Sequence, residues 1–426
     1  MKELIQKGLG LLSRIKNKIA FYPTILSLAG LAFSFIMYYI ESRGVSSYLK
    51  EELPMLVINN SDTARVILSV FIGGLISIMV FSFSMVMILL NQASSNFSPR
   101  VLPGLISNKK HQIILGIYNA SLLYCIFTLV AIEGEGDQVN MPGFSVLLSI
   151  VFMVICLGAF IYFLHSISQG IQVDNIISRI KETGIKRMRK FVKRNQESTT
   201  KLPQKKASYV FKSKRSGYLQ SIQINSLKEK LAENDLILQT LIPIGSYVFE
   251  GTPMFKISEQ LNKEDEEDIS ELFVYANNEL VNENYVLAFK QITEIAVKAM
   301  SPGINDPGTA INAINALTDL FLERIQINNH SEYLHNDKVV LKTKDFTFKE
   351  ILHATMASLR TYCTKDVLVS QKLMQMLLQL YDHKAFGKPS FKKQVRREMK
   401  LLYKDLKGNL KNESDLKAFK NLKFKC

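Results

Sequence analysis

Two groups of residues in this sequence have types and spacings that permit chemistry. The first is a line of small, hydroxyl, amide and large apolar side chains. Gly74, Ser77, Phe81, Ser84, Ile88, Asn91 and Ser95 recur at three- and four-residue steps, which places them along one seam of an α-helix. In a membrane such a seam has two uses. Small and hydroxylated side chains let a neighbouring helix approach closely and hydrogen-bond. Alternatively, copies of the helix surround an axis: Ser77 and Ser84 then supply hydroxyls, Phe81 or Ile88 a constriction, and Asn91 and Ser95 a polar mouth. The second group is the string SPGINDPGTA. Ser301, Pro302 and Gly303 end one helix, and Asp306 caps the next with Pro307 in its first turn. Asn305, Thr309 and the backbone N–H groups of that helix start are candidates for holding an anion. Ser301 lies in no nucleophile elbow, so no catalytic residue is assigned.

The seam needs a membrane helix to carry it. From Val66 to Pro99 the chain has no ionisable side chain and is apolar as far as about Leu90. Three further apolar runs complete a four-span region, with spans expected at about residues 22–40, 66–90, 113–132 and 144–164. None of these intervals contains Asp, Glu, Lys or Arg, which argues against a proton-coupled transporter. Loop charge orients the spans. Arg100, Lys109 and Lys110 follow the second, a dense basic run follows the fourth, and Glu133, Glu135 and Asp137 lie between the third and fourth. The positive-inside rule therefore places both termini in the cytoplasm of a bacterial inner membrane. The basic start runs straight into the first span without a small-residue cleavage site, so that span is expected to serve as the targeting signal.

The chain of 426 residues, with formal charge +15, is too polar after residue 165 to be membrane throughout. We expect a membrane domain over 1–178, a basic juxtamembrane linker over 179–206, a small β module over 207–258 and a mainly helical domain over 268–426. The fold class is thus an α+β membrane protein: a four-helix transmembrane region followed by a cytoplasmic small β module and a mainly helical domain. The linker is expected to lie on anionic lipid headgroups; no nucleic-acid motif accompanies its charge. GSYVFEGTPMFKI resembles the G-x-x-V-x-x-G-x-P hairpin of biotinyl/lipoyl-like modules, with Val248 and Phe255 directed into a core. It lacks a lysine at the turn, so no cofactor is expected. Cys125, Cys156, Cys363 and Cys426 have no metal-ligand spacing, and the histidines are scattered, so no metal site is expected.

SSNFSPRVL, SGYLQSI and ITEIAVKAMSPGINDPGTA together give a resemblance over nearly the whole chain. The sequence resembles a bacterial family of predicted integral membrane proteins of unknown function that carry SPGINDP. Just upstream of that string the family has an Arg-Thr and then an Asp-Pro, where this chain has ELVNENYVLAF. The resemblance implies the same domain order and supplies no reaction. The expectation is a homo-oligomeric, ion-channel-like pore lined by the second span, with a cytoplasmic vestibule. The alternative is a membrane-anchored sensor or scaffold that binds a ligand or partner near SPGINDP.

Overall fold

The computed structural model describes residues 20–52, 58, 60–96, 109–132, 142–195, 207–277, 284–327, 330–336, 338–383 and 389–423. The chain divides into two units, Met1–Gln172 and Val173–Cys426.

In the first unit, four helices are long and apolar enough to cross a membrane. They are α1 (Phe21–Ser42), α3 (Ser61–Asn96), α4 (Lys109–Ile132) and α5 (Gly143–Ile171), with a short α2 (Val45–Glu52) after α1. At 1.5 Å per residue α1 extends about 33 Å, close to a hydrocarbon core, and α3 about 54 Å, well beyond it. Helices in lipid gain little from burying apolar surface, so close contact depends on small residues. Here α1 and α4 meet that way. A side chain at Gly30 would come within 2.6 Å of the Ala120 backbone, and one at Gly116 within 2.5 Å of Leu26. Tyr124 of α4 packs its ring on Phe33 of α1 and Phe152 of α5, at 5.6 and 5.0 Å. The helix α3 faces its neighbours with Leu68, Leu75, Ser82 and Leu89, all buried and seven residues apart.

The second unit opens with α6 (Val173–Asn195), so the basic stretch expected as a linker is a packed helix as far as Asn195. Its apolar face explains the difference: Ile176, Ile177, Ile180 and Met188 are buried, and a side chain at Gly184 would meet Ala288 at 2.8 Å. The β module is also not contiguous. Strands β1 (Tyr209–Lys212), β2 (Gly217–Ile222), β3 (Leu238–Thr240), β4 (Tyr247–Val248) and β5 (Pro253–Ile257) are joined by β6 (Phe273–Ala276) and the hairpin β7 (His330–His335) and β8 (Lys338–Lys344). They form two sheets, ordered β1-β5-β3-β8-β7 and β4-β2-β6. Consequently β4 and β5 are not a hairpin: β4 pairs with β2, and β5 with β1 and β3, across the Gly251 turn at φ +81°. Val248 and Phe255 do enter the core. Phe255 stacks on Phe211 and Phe273 at 4.6 and 5.2 Å, joining the two sheets by their aromatic faces.

Between the strands lie α7 (Ile224–Glu233) and the acidic α8 (Lys263–Glu271), and the rest of the unit is helical. The remaining helices are α9 (Val286–Ala299), α10 (Pro307–Arg324), α11 (Phe348–Cys363), α12 (Val367–Asp382), α13 (Pro389–Asn409) and α14 (Glu413–Lys423). Phe289, Phe321, Phe348 and Phe391 form a chain of ring contacts from α9 through α10 and α11 to α13. Buried Arg324 closes the end of α10 by donating to the carbonyls of Ile327, at 2.8 Å, and Phe346.

Replacing Gly30 by Leu forces α1 away from α4, so the detergent-solubilised protein should lose about 1–3 kcal/mol, the usual cost of overpacking. Gly158→Leu, on α5, has open space at its Cβ and should leave the melting temperature unchanged in the same thermal scan.

Candidate functional site

Viewed down α3, the seam and the packing stripe lie on opposite sides. Ser77, Phe81, Ser84, Ile88 and Asn91 are exposed, whereas Leu68, Leu75, Ser82 and Leu89 are buried. Val66, Val70 and Gly73 extend the exposed line toward the helix start. Gly74 departs from it, being half-buried 3.6 Å from Met153 measured to an ideal Cβ. Ser95 lies in the last turn of α3, and its side chain is outside the described residues. Phe81 touches the chain's own helices through an edge-on contact with Phe160 at 5.9 Å. The Ser77 and Ser84 hydroxyls donate to the carbonyls of Gly73 and Val80, each at 2.9 Å. This back-bonding satisfies their protons without a partner helix and leaves their oxygens as outward acceptors.

The SPGINDP segment is a turn held by its own hydrogen bonds. The Ser301 hydroxyl donates to Lys298 O at 2.7 Å, and the Ile304 and Asn305 N–H groups donate to Ser301 O at 3.0 Å. Asn305 takes a left-handed conformation, φ 47°, which the short amide side chain tolerates. The Asp306 carboxylate accepts from Thr309 N at 3.0 Å and is the N-cap of α10. Hydrogen bonds from the Thr309 hydroxyl, then from the Thr309 and Gly308 N–H groups, hold its carboxyl below the usual carboxylate range. The helix start thus already carries a negative charge, which disfavours a second anion there.

Parallel alignment of α6 with α10 fixes where this turn sits in its unit. Asn312 donates to Asp174 at 2.9 Å and Lys181 to Asp319 at 2.8 Å, both across 138 residues, and Arg189 pairs with Glu323. The turn therefore lies at the end of the second unit where its chain begins. Pro302, Gly303 and Ile304 form its exposed tip.

Two clusters were not visible in the sequence. Glu41 lies one residue beyond the expected end of the first span, yet it is buried. Its carboxylate accepts from Ser145 N at 2.8 Å and from the Ser46 hydroxyl at 2.5 Å, while Ser46 accepts from Phe144 N at 3.0 Å. Together they cap α5 from outside, supplying partners to N–H groups that Pro142 cannot satisfy. The separation of 98–104 residues between Ser46 or Glu41 and the start of α5 hides this cap from any local pattern. In the second unit, His353 of α11 meets buried Glu398 of α13 at 3.0 Å, and Arg360 bridges Glu398 to Asp405. These are pairs across 38–45 residues. Among the described residues no group of His, Cys, Asp and Glu has the arrangement of a metal site.

Four apolar spans joined to a mixed α/β unit define an integral membrane protein with a large extramembranous part. The chain belongs to the family described as Predicted membrane protein (DUF2254), whose model matches residues 16–379. It is similar to the uncharacterised proteins Mb1321c of Mycobacterium bovis and Rv1290c of Mycobacterium tuberculosis. Each is 22% identical over 365 residues, covering 83% of this chain and 70% of the relative. No solved structure matches it.

Because the Asp306 carboxyl is held below its unfolded range, its stabilisation is complete above the unfolded value and disappears as pH falls through the folded one. Asp306→Ala should cost about 0.5–2 kcal/mol at neutral pH, the range for a lost N-cap. Acid titration of thermal stability should then show a shallower loss than in the parent protein over the most acidic part of the curve.

Proposed function

We propose that this chain is the subunit of a homo-oligomeric, channel-like pore in the bacterial inner membrane. In this reading α3 of each copy lines the axis, both termini are cytoplasmic, and copies of the second unit form a vestibule. The observation that carries it is the outward seam: the chain buries the opposite face of α3 and leaves the three- and four-residue line from Ser77 to Asn91 exposed. An exposed line of that period fits a matching line on a second copy. Around an axis, the outward lone pairs of Ser77 and Ser84 suit the lining of an aqueous path, and Phe81 and Ile88 suit a constriction. No ionisable side chain stands on the seam, in keeping with passive conduction. A scaffold role rests on one feature, the exposed Ile304 at the tip of a rigid turn, and implies a protein partner in place of an anion.

The test is cross-linking combined with conductance. Cys125, Cys156 and Cys363 are buried, and replacing all four native cysteines gives the background for single-cysteine variants of the full chain. In vesicles, Ser84→Cys should form disulfide-linked dimers on oxidation and Phe83→Cys, exposed on another side of α3, should not. In planar bilayers, Phe81→Ser and Ile88→Ser should raise conductance above that of the parent. Monomeric Ser84→Cys, with parent and variants equally silent, overturns the proposal.

A further inference from the structure

The first unit contains a cavity of about 370 Å³ that no part of the proposed pore uses. Its walls are Phe35, Met37 and Tyr38 of α1, Phe127, Val130 and Ala131 of α4, and Pro142 at the start of α5. Of the hydroxyl-bearing side chains there, Ser34 and Thr128 direct their protons to their own helices. Ser34 donates to Gly30 O at 2.9 Å and Thr128 to Tyr124 O at 2.8 Å. Glu41 and Ser145 close one end, where the Glu41 carboxylate is bound by Ser145 N and the Ser46 hydroxyl.

These facts decide what kind of molecule fits. A cavity of this size has room for about a dozen waters, each needing two to four polar partners, whereas the walls are mainly apolar, with polar groups confined to Ser34, Tyr38, Glu41, Thr128 and Ser145. Hydrocarbon needs none. The mouth is formed by side chains that face outward from the unit, Phe35 at 58% exposure, Tyr38 at 64% and Val130 at 61%. In a four-span membrane protein that outward side is lipid. Ser34 to Glu41 is the last part of α1 before it ends at Ser42, so the cavity opens within the hydrocarbon layer and its closed, polar end lies toward the headgroups.

We infer that this cavity is a binding site for one acyl chain of a membrane phospholipid, inserted between α1 and α4 with the Glu41–Ser46–Ser145 cap at the headgroup end. A bound chain replaces a void between two helices whose contact at Gly30 and Gly116 is otherwise close, and so sets how α1 leans on α4. The site is separate from the α3 seam and does not depend on the pore proposal.

The test uses the full chain in phosphatidylethanolamine and phosphatidylglycerol vesicles doped with a phospholipid carrying a diazirine in its acyl chain. After photolysis, mass spectrometry maps the adducts. They should concentrate on the cavity residues Phe127, Val130 and Ala131, and fall several-fold in Ala131→Phe, which fills the space. Adducts at the outward Val154 and Ile161 of α5 should stay unchanged and report general lipid contact. Ala131→Leu, a smaller insertion, provides the same comparison if the phenylalanine variant does not fold. Even labelling of all lipid-facing residues, unaffected by either variant, means annular lipid only and overturns the inference.

Discussion

In the span unit every polar group has to find its hydrogen-bond partner within the chain, because lipid offers none. Several meet this requirement locally. Ser27, Ser34, Ser77, Ser84, Thr128 and Ser149 each donate to the carbonyl four residues earlier on their own helix. The start of α5 cannot, since its cap position is Pro142, whose side chain has no acceptor. Its N–H groups are satisfied by Glu41 in the last turn of α1 and Ser46 in the first turn of α2. That one long-range cap ties α1, α2 and α5 together and explains why a carboxylate is buried at the end of a span. The positive end of the α5 dipole compensates the charge that burial would otherwise make costly.

A related constraint governs the second unit. Its entering helix α6 is strongly basic on one side and apolar on the other. The apolar side packs against α9 and α10, with Gly184 allowing the close approach to Ala288, and the acids of α10 pair with Lys181 and Arg189. These ion pairs are partly exposed, so they contribute little stability and act mainly to set register. Register is what matters for the SPGINDP turn, since the parallel α6–α10 alignment holds it at the end of the unit where α6 starts. The motif residues are then explained by shape: Ser301 and Asn305 make the turn and Asp306 starts the helix.

The outward seam, the lipid-side cavity and the rigid turn thus come from separate features of one chain. The seam is exposed because the heptad of Leu68, Leu75, Ser82 and Leu89 takes the inner face of α3. The cavity lies between α1, α4 and the start of α5, on the Glu41 side of the close contacts at Gly30 and Gly116.

By itself the sequence determined the features that depend on local period and composition. These are the four apolar helices, the seam residues as one helical line and the Asp306 cap with Pro307 behind it. Each is set by neighbours within a turn or two, where helix geometry is nearly fixed. Only the tertiary structure decided which side of α3 faces inward, that Glu41 is buried, that Glu398 orients His353, and that β4 and β5 belong to different sheets. Period assigns residues to a face without saying what covers it. A pairing across 38 to 138 residues depends on how whole elements dock, which no window of the chain contains.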